Sequence, residues 1–173
     1  LPTLVPDDPT SSFGASVAID GKTAMIGARA ANFGQGMVYV YTESAGVWSV
    51  SDKLGADGGA ARDNFGVSIA LEGGFAFIGA PGTTINGNIS QGAAYVFEHG
   101  PTGWKEIQKV VDPAGTAICL FGASVNVSHG RMLVGAYATQ AYRGAAHVFQ
   151  RDCGQWKKTD TLTASDAAPG NVF

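Results

Sequence analysis

A Phe-Gly pair recurs three times in this sequence, locked in phase with other landmarks. The pairs are Phe13-Gly14, Phe65-Gly66 and Phe121-Gly122, with steps of 52 and 56 residues, and a further 52 reaches Phe173. One pattern follows each pair: FGASVAIDGKTAMIGA, FGVSIALEGGFAFIGA and FGASVNVSHGRMLVGA. A Gly-Ala begins 14 residues after each Phe, at Gly27, Gly79 and Gly135. GMVYVY, GAAYVF and GAAHVF then start at Gly36, Gly92 and Gly144. Tyr39, Tyr95 and His147 each stand nine residues before a Trp (Trp48, Trp104, Trp156), and each Trp stands 17 before the next Phe. Such self-similarity marks one supersecondary unit stacked on copies of itself. The whole difference in period falls between Ala80 and Gly92, in PGTTINGNISQ, four residues longer than its counterparts. Fixed spacings with one variable gap mean fixed strands and one tolerant loop.

Each unit reads as four strands. Residues 16–19 alternate small with branched apolar side chains, as a half-buried strand does. Asp20-Gly21, Gly73-Gly74 and His129-Gly130 are hairpin turns in which Gly supplies positive φ. Residues 23–26 and 37–41 are β-formers, and after a turn at Gly46, Gly103 or Gly154 a Trp opens the fourth strand. Four antiparallel strands recurring at about 50 residues describe a propeller blade. The expected fold is all-β: residues 13–64, 65–120 and 121–172 form three blades. Residues 1–12 form a linker or strand completing a neighbouring blade, and Phe173 starts a further repeat. Propellers close with about four to eight blades, so three blades are expected to be part of a six- or seven-bladed ring completed by another chain or by further sequence.

Composition agrees. Only 14% of residues are charged, and 25 of 173 are Gly, which suits short strands and tight turns rather than solvated helices. The net charge is −3 and the 11 Lys and Arg are scattered, so no basic stripe points to nucleic acid. No apolar run reaches the ~18 residues of a membrane span. The chain begins at Leu1 and reads as a processed product or an excised piece. Cys119 and Cys153 fit neither a disulfide scaffold nor a metal site. They fall at opposite ends of a blade, about 17–20 Å apart, too far for a bridge, which leaves them free or paired between chains.

These residues resemble the FG-GAP repeat family, which builds integrin α-subunit propellers and many bacterial and algal surface proteins. Blade two spells the name in Phe65-Gly66 and Gly79-Ala80-Pro81, and the linkers KLGADGGAARDNFG and TLTASDAAPGNVF are similar to those of the bacterial type. Blades one and three depart with Gly-Ala-Arg and Gly-Ala-Tyr. The resemblance implies an extracellular or cell-surface location and makes bound calcium possible. Integrin-type repeats carry a DxDxDG loop between their first two strands. Here IDGKT, LEGGF and VSHGR stand there, too short and too poor in oxygen ligands for Ca²⁺, so no metal or other cofactor is expected.

Weighed singly, Trp48, Trp104 and Trp156 read as wedge fillers between blades rather than sugar platforms. Phe13, Phe65 and Phe121 read as core. The histidines occupy three different repeat positions, and no G-x-S-x-G elbow is present. Asp57, Asp63, Asp112 and Asp166 sit in the linkers, where turn formation suits them better than ligation. Two sequons occur. Asn88, in the long loop, is expected to be exposed and is the stronger glycosylation candidate. Asn126 aligns with Ala18 and Ala70 on the innermost strand, a crowded position.

Three functions fit. The first is a non-catalytic module for adhesion, recognition or assembly, contacting protein or glycan at the cell surface. It would use the end that bears the linkers and the loops between second and third strands. Arg29, Phe33, Ile85, Tyr137, Tyr142 and Arg143 lie there, and aromatics and Arg are frequent interface anchors. The second is a repeating structural subunit of a surface polymer, filament or sheath. The third is a polysaccharide-active enzyme, which would need two carboxylates about 5–9.5 Å apart, and the linker aspartates are its candidates. A homo-oligomer or a part of a longer chain is expected in each case.

Overall fold

The computed structural model describes residues 11–166. Most of the expected N-terminal linker, the end of blade three and Phe173 lie outside the described residues. Twelve strands form three four-stranded antiparallel sheets, each in chain order. Blade one comprises β1 (Phe13–Asp20), β2 (Thr23–Ala28), β3 (Met37–Ser44) and β4 (Val47–Leu54). Blade two comprises β5 (Ser68–Glu72), β6 (Phe75–Ala80), β7 (Ala93–Gly100) and β8 (Gly103–Val110). Blade three comprises β9 (Ser124–Ser128), β10 (Arg131–Ala136), β11 (Ala145–Asp152) and β12 (Gln155–Leu162). Each third-to-fourth pairing carries a bulge at one repeat position, between Val40 and Tyr41, Val96 and Phe97, and Val148 and Phe149. A bulge adds local twist, so all three blades bend alike. Two four-residue turns, α1 (Ala31–Gly34) and α2 (Thr139–Tyr142), lie between second and third strands and contain residues with left-handed backbone.

Side chains alternate along each strand between a face toward the preceding blade and a face toward the next, and each joint is a core. In the first joint, Met25, Val38, Val40 and Leu54 of blade one meet Ile69, Ala76, Ile78, Tyr95 and Phe97 of blade two. In the second, Ala70, Phe77, Ala94, Val96 and Val110 meet Met132, Val134 and Phe149. The first strands β1, β5 and β9 touch in succession.

The Phe-Gly pair is the hinge of each joint. The Phe65 N–H donates to the Gln35 carbonyl and the Phe121 N–H to that of Gln91, both at 3.0 Å. Ser16 Oγ donates to the Gly66 carbonyl at 2.7 Å and Ser68 Oγ to that of Gly122 at 2.9 Å. Gly27 and Gly79 are glycines for steric reasons, since a Cβ at either would overlap that carbonyl oxygen. Phe65 and Phe121 are fully buried, and Phe65 meets Tyr95 and Phe97 edge-on, with centroids 5.5 and 6.0 Å away. Trp156 stands edge-on to Phe77 across the second joint at 4.9 Å. Trp104 packs half-buried on the first joint, and Trp48 on the Tyr39–Tyr41 side of blade one. Cys119 is buried, Cys153 exposed, and both are free.

Candidate functional site

The second-to-third-strand loops and the linkers converge at one end of the blades, where a groove of about 430 Å³ opens. Arg29, Pro81 and Tyr137 line it. All three hold one repeat position, the residue after Gly-Ala, so the fold superposes them on a single rim. The linkers supply Arg62, Asn64 and Leu120, all with left-handed φ of 71°, 57° and 55°. That backbone is stabilised locally: Asn64 Nδ2 donates to the Arg62 carbonyl at 2.8 Å, and the Gly82 N–H donates to the Asp63 carbonyl at 3.0 Å. Gly82 carries no side chain because a Cβ would overlap the Arg62 carbonyl. The lining holds two guanidinium groups, a phenol, an amide and the Ser90 hydroxyl, with no carboxylate among its described residues. Guanidinium forks pair bidentately with carboxylate and sulfate, so the groove suits an anionic group.

The family model of the FG-GAP repeat matches residues 3–41, 48–97 and 104–149. This chain belongs to the FG-GAP repeat family. No curated protein matches it.

Of the surface residues singled out from the sequence, the FG-GAP blades bring Arg29 and Tyr137 together and place the other four elsewhere on the loops. Phe33 in α1 is 93% exposed and Tyr142 in α2 is 45% exposed. Ile85 is half-buried and bridged to Asn88 through two backbone hydrogen bonds. Arg143 takes the repeat position of Gln35 and Gln91, whose side-chain amides donate to the linker carbonyls of Gly59 and Asp112 at 2.9 Å. Arg62, Asn64 and Leu120 escaped the sequence reading. Asn64 and Leu120 share the position just before the Phe of the Phe-Gly pair, which was the available signal for those two.

The two sequons depart from expectation. Asn88 is half-buried, because the Ile85 bridge turns it inward and its Nδ2 donates to Gln91 Oε1 at 2.9 Å. Asn126 is exposed. Its counterparts Ala18 and Ala70 pack in the joints, but the face of blade three that carries Asn126 is uncovered among the described residues.

A second polar constellation lies inside the second joint. His147, where the other blades have Tyr, is 2% exposed, and Asp112 of the linker 6%. Asp112 Oδ2 lies 3.8 Å from His147 Nε2, and Lys158 Nζ donates to Asp112 Oδ1 at 2.8 Å. Burial pushes the His147 pKa down and the Lys158 charge adds to this, against the pull of Asp112. Burial alone would push Asp112 up. Lys158, His147 and the Ala114 N–H outweigh it and hold the carboxyl below its ordinary value.

Proposed function

We propose that this FG-GAP chain is a non-catalytic recognition module of an extracellular or cell-surface protein, taking an acidic group of a protein or glycan in the groove of Arg29, Arg62 and Tyr137. The observation that carries the reading is the convergence of two guanidinium groups and an aromatic ring from two blades and a linker on one rim, against a net charge of −3 for the whole chain. Family membership supports the surface location. Among carboxylates a hydrolase would recruit, Asp63 Oδ2 accepts from the Ala60 N–H and Asp112 accepts from Lys158, which favours structural roles for them.

Binding to a sulfated polysaccharide and to polyglutamate, with neutral dextran as control, tests the proposal. The acidic polymers bind and dextran does not. The affinity falls with salt, as screened charge pairs require, and chelation of divalent ions leaves it unchanged. The Arg29→Ala/Arg62→Ala variant loses at least about tenfold, or ~1.4 kcal/mol. Undiminished binding by that variant, or equal binding of dextran, overturns the reading.

A further inference from the structure

The two joints share a frame but differ in what fills it. At the linker, Ala56 of the first joint stands where Asp112 stands in the second. At the other end of the blades, away from the groove, the second joint is full. Phe77 meets Trp156 there, and the Arg151 guanidinium lies over the Phe75 ring, 4.4 Å from its centroid. The same repeat positions in the first joint are Met25, Trp104, His99 and Thr23. A phenyl ring has become a hydroxyl and a methyl, and a guanidinium has become an imidazole, which meets Trp104 at a steep angle with centroids 5.1 Å apart. These smaller groups leave a pocket of about 160 Å³ between the blades, lined by Asp20, Thr23, Leu71, Gly74, His99 and Trp104. Trp104 is accordingly half-buried, whereas Trp156 is 4% exposed.

The carboxylates of the two joints are engaged unequally. In the second joint Glu72 uses both oxygens, accepting from the His129 N–H at 2.7 Å and from the Gly130 N–H at 3.1 Å. Its counterpart Asp20 uses Oδ2 alone, accepting from the Gly73 N–H at 3.0 Å. Asp20 Oδ1 and the Thr23 hydroxyl have no hydrogen-bond partner among the described residues. The adjacent Lys22 pairs with Glu43 at 3.5 Å, and the described lining of the pocket holds no Lys or Arg.

We infer that this pocket receives the guanidinium of an arginine side chain from a partner protein. The second joint shows the fit, since Arg151 puts its own guanidinium in the corresponding place, over Phe75 and 3.6 Å from Glu98. In the first joint the groups that hold a cation are present without one from the chain: a carboxylate oxygen, a hydroxyl acceptor and an indole wall. A guanidinium matches all three, because its donors fork onto carboxylate and its plane packs on aromatic rings. The site lies at the opposite end of the blades from the Arg29 groove and takes the opposite charge, so it stands independently of that groove.

Titration of the chain with a capped peptide holding one arginine, followed through the three indole N–H signals in NMR, tests the pocket. The same peptide with citrulline, which keeps the shape and loses the charge, is the control. The arginine peptide shifts the Trp104 signal and leaves those of Trp48 and Trp156 in place, and the citrulline peptide shifts none. Affinity falls with salt. Thr23→Phe/His99→Arg, which copies the second joint and fills the pocket from within, abolishes the shift. Asp20→Asn keeps an acceptor for the Gly73 N–H and weakens binding roughly three- to tenfold, which keeps the test open if the double variant folds poorly. Arg29→Ala/Arg62→Ala leaves the titration unchanged, so the groove and the pocket fail separately. A Trp104 signal that does not move, equal binding of the citrulline peptide, or undiminished binding by Thr23→Phe/His99→Arg or Asp20→Asn overturns the proposal.

Discussion

At the residue scale, the most consequential substitution among the repeats is the Tyr-to-His change at position 147. A buried histidine with a lowered pKa binds its proton more weakly folded than unfolded. Its contribution is therefore intact above the ordinary value of 6.5 and lost as pH falls below it. Asp112, held below 3.8, adds stability above that value and loses it on further acidification. The melting temperature is expected to decline in two stages as pH falls, the first beginning near neutrality. His147→Gln should flatten the first stage and leave the second. Lys158→Ala removes the partner of a buried carboxylate and should cost about 1–3 kcal/mol at neutral pH. Thermal melts followed by circular dichroism between neutral and acid pH would check both. None of this was legible in the sequence, where Asp112 read as a turn former. Its partners lie 35 and 46 residues away in another blade, and only the joint brings them together.

At the element scale, the strands were legible because each blade imposes the same steric demands. A glycine is required where the next Phe-Gly carbonyl enters, and a Trp is required to fill the wedge, so the spacing survives in the sequence. The groove was half legible. Arg29 and Tyr137 share a repeat position, but Arg62 reaches the rim only through a left-handed linker that no periodicity announces. Asn88 shows the same limit, since its inward turn depends on the local bridge to Ile85 rather than on loop length. The three Trp share a position but not a burden. Trp156 is 4% exposed against Phe77, and Trp156→Ala should cost about 3–5 kcal/mol. Trp48 packs only on its own blade, half-buried, and Trp48→Ala should cost less than half as much. Denaturant unfolding of the two variants checks the ranking.

At the scale of the whole molecule, stability is distributed as in other stacked repeats, where each unit gains from its neighbours. Blade two has a joint on both sides. β6 is buried at five of six positions and β7 at its first five, while β12 is buried only at Trp156. Amide hydrogen exchange should accordingly be slowest in β6 and β7 and fastest in β12, since local opening follows buried contact. Equal protection in all three blades would mean that the chain opens only as a unit.

The unequal chemistry of the two joints also bears on how the chain reaches this state. Near-identical repeats made one after another can pair with the wrong neighbour, a characteristic failure of repeat proteins. Here the mistake is penalised while it forms. If blade three settled on blade one, His147 and Lys158 would face Ala56 and lose their carboxylate. If blade two lost its proper neighbour, Asp112 would be left without its lysine. A single aspartate in one linker and its two partners in one blade thus sort three look-alike parts into chain order, a task the shared Phe, Gly and Trp framework cannot perform because it is the same in every blade.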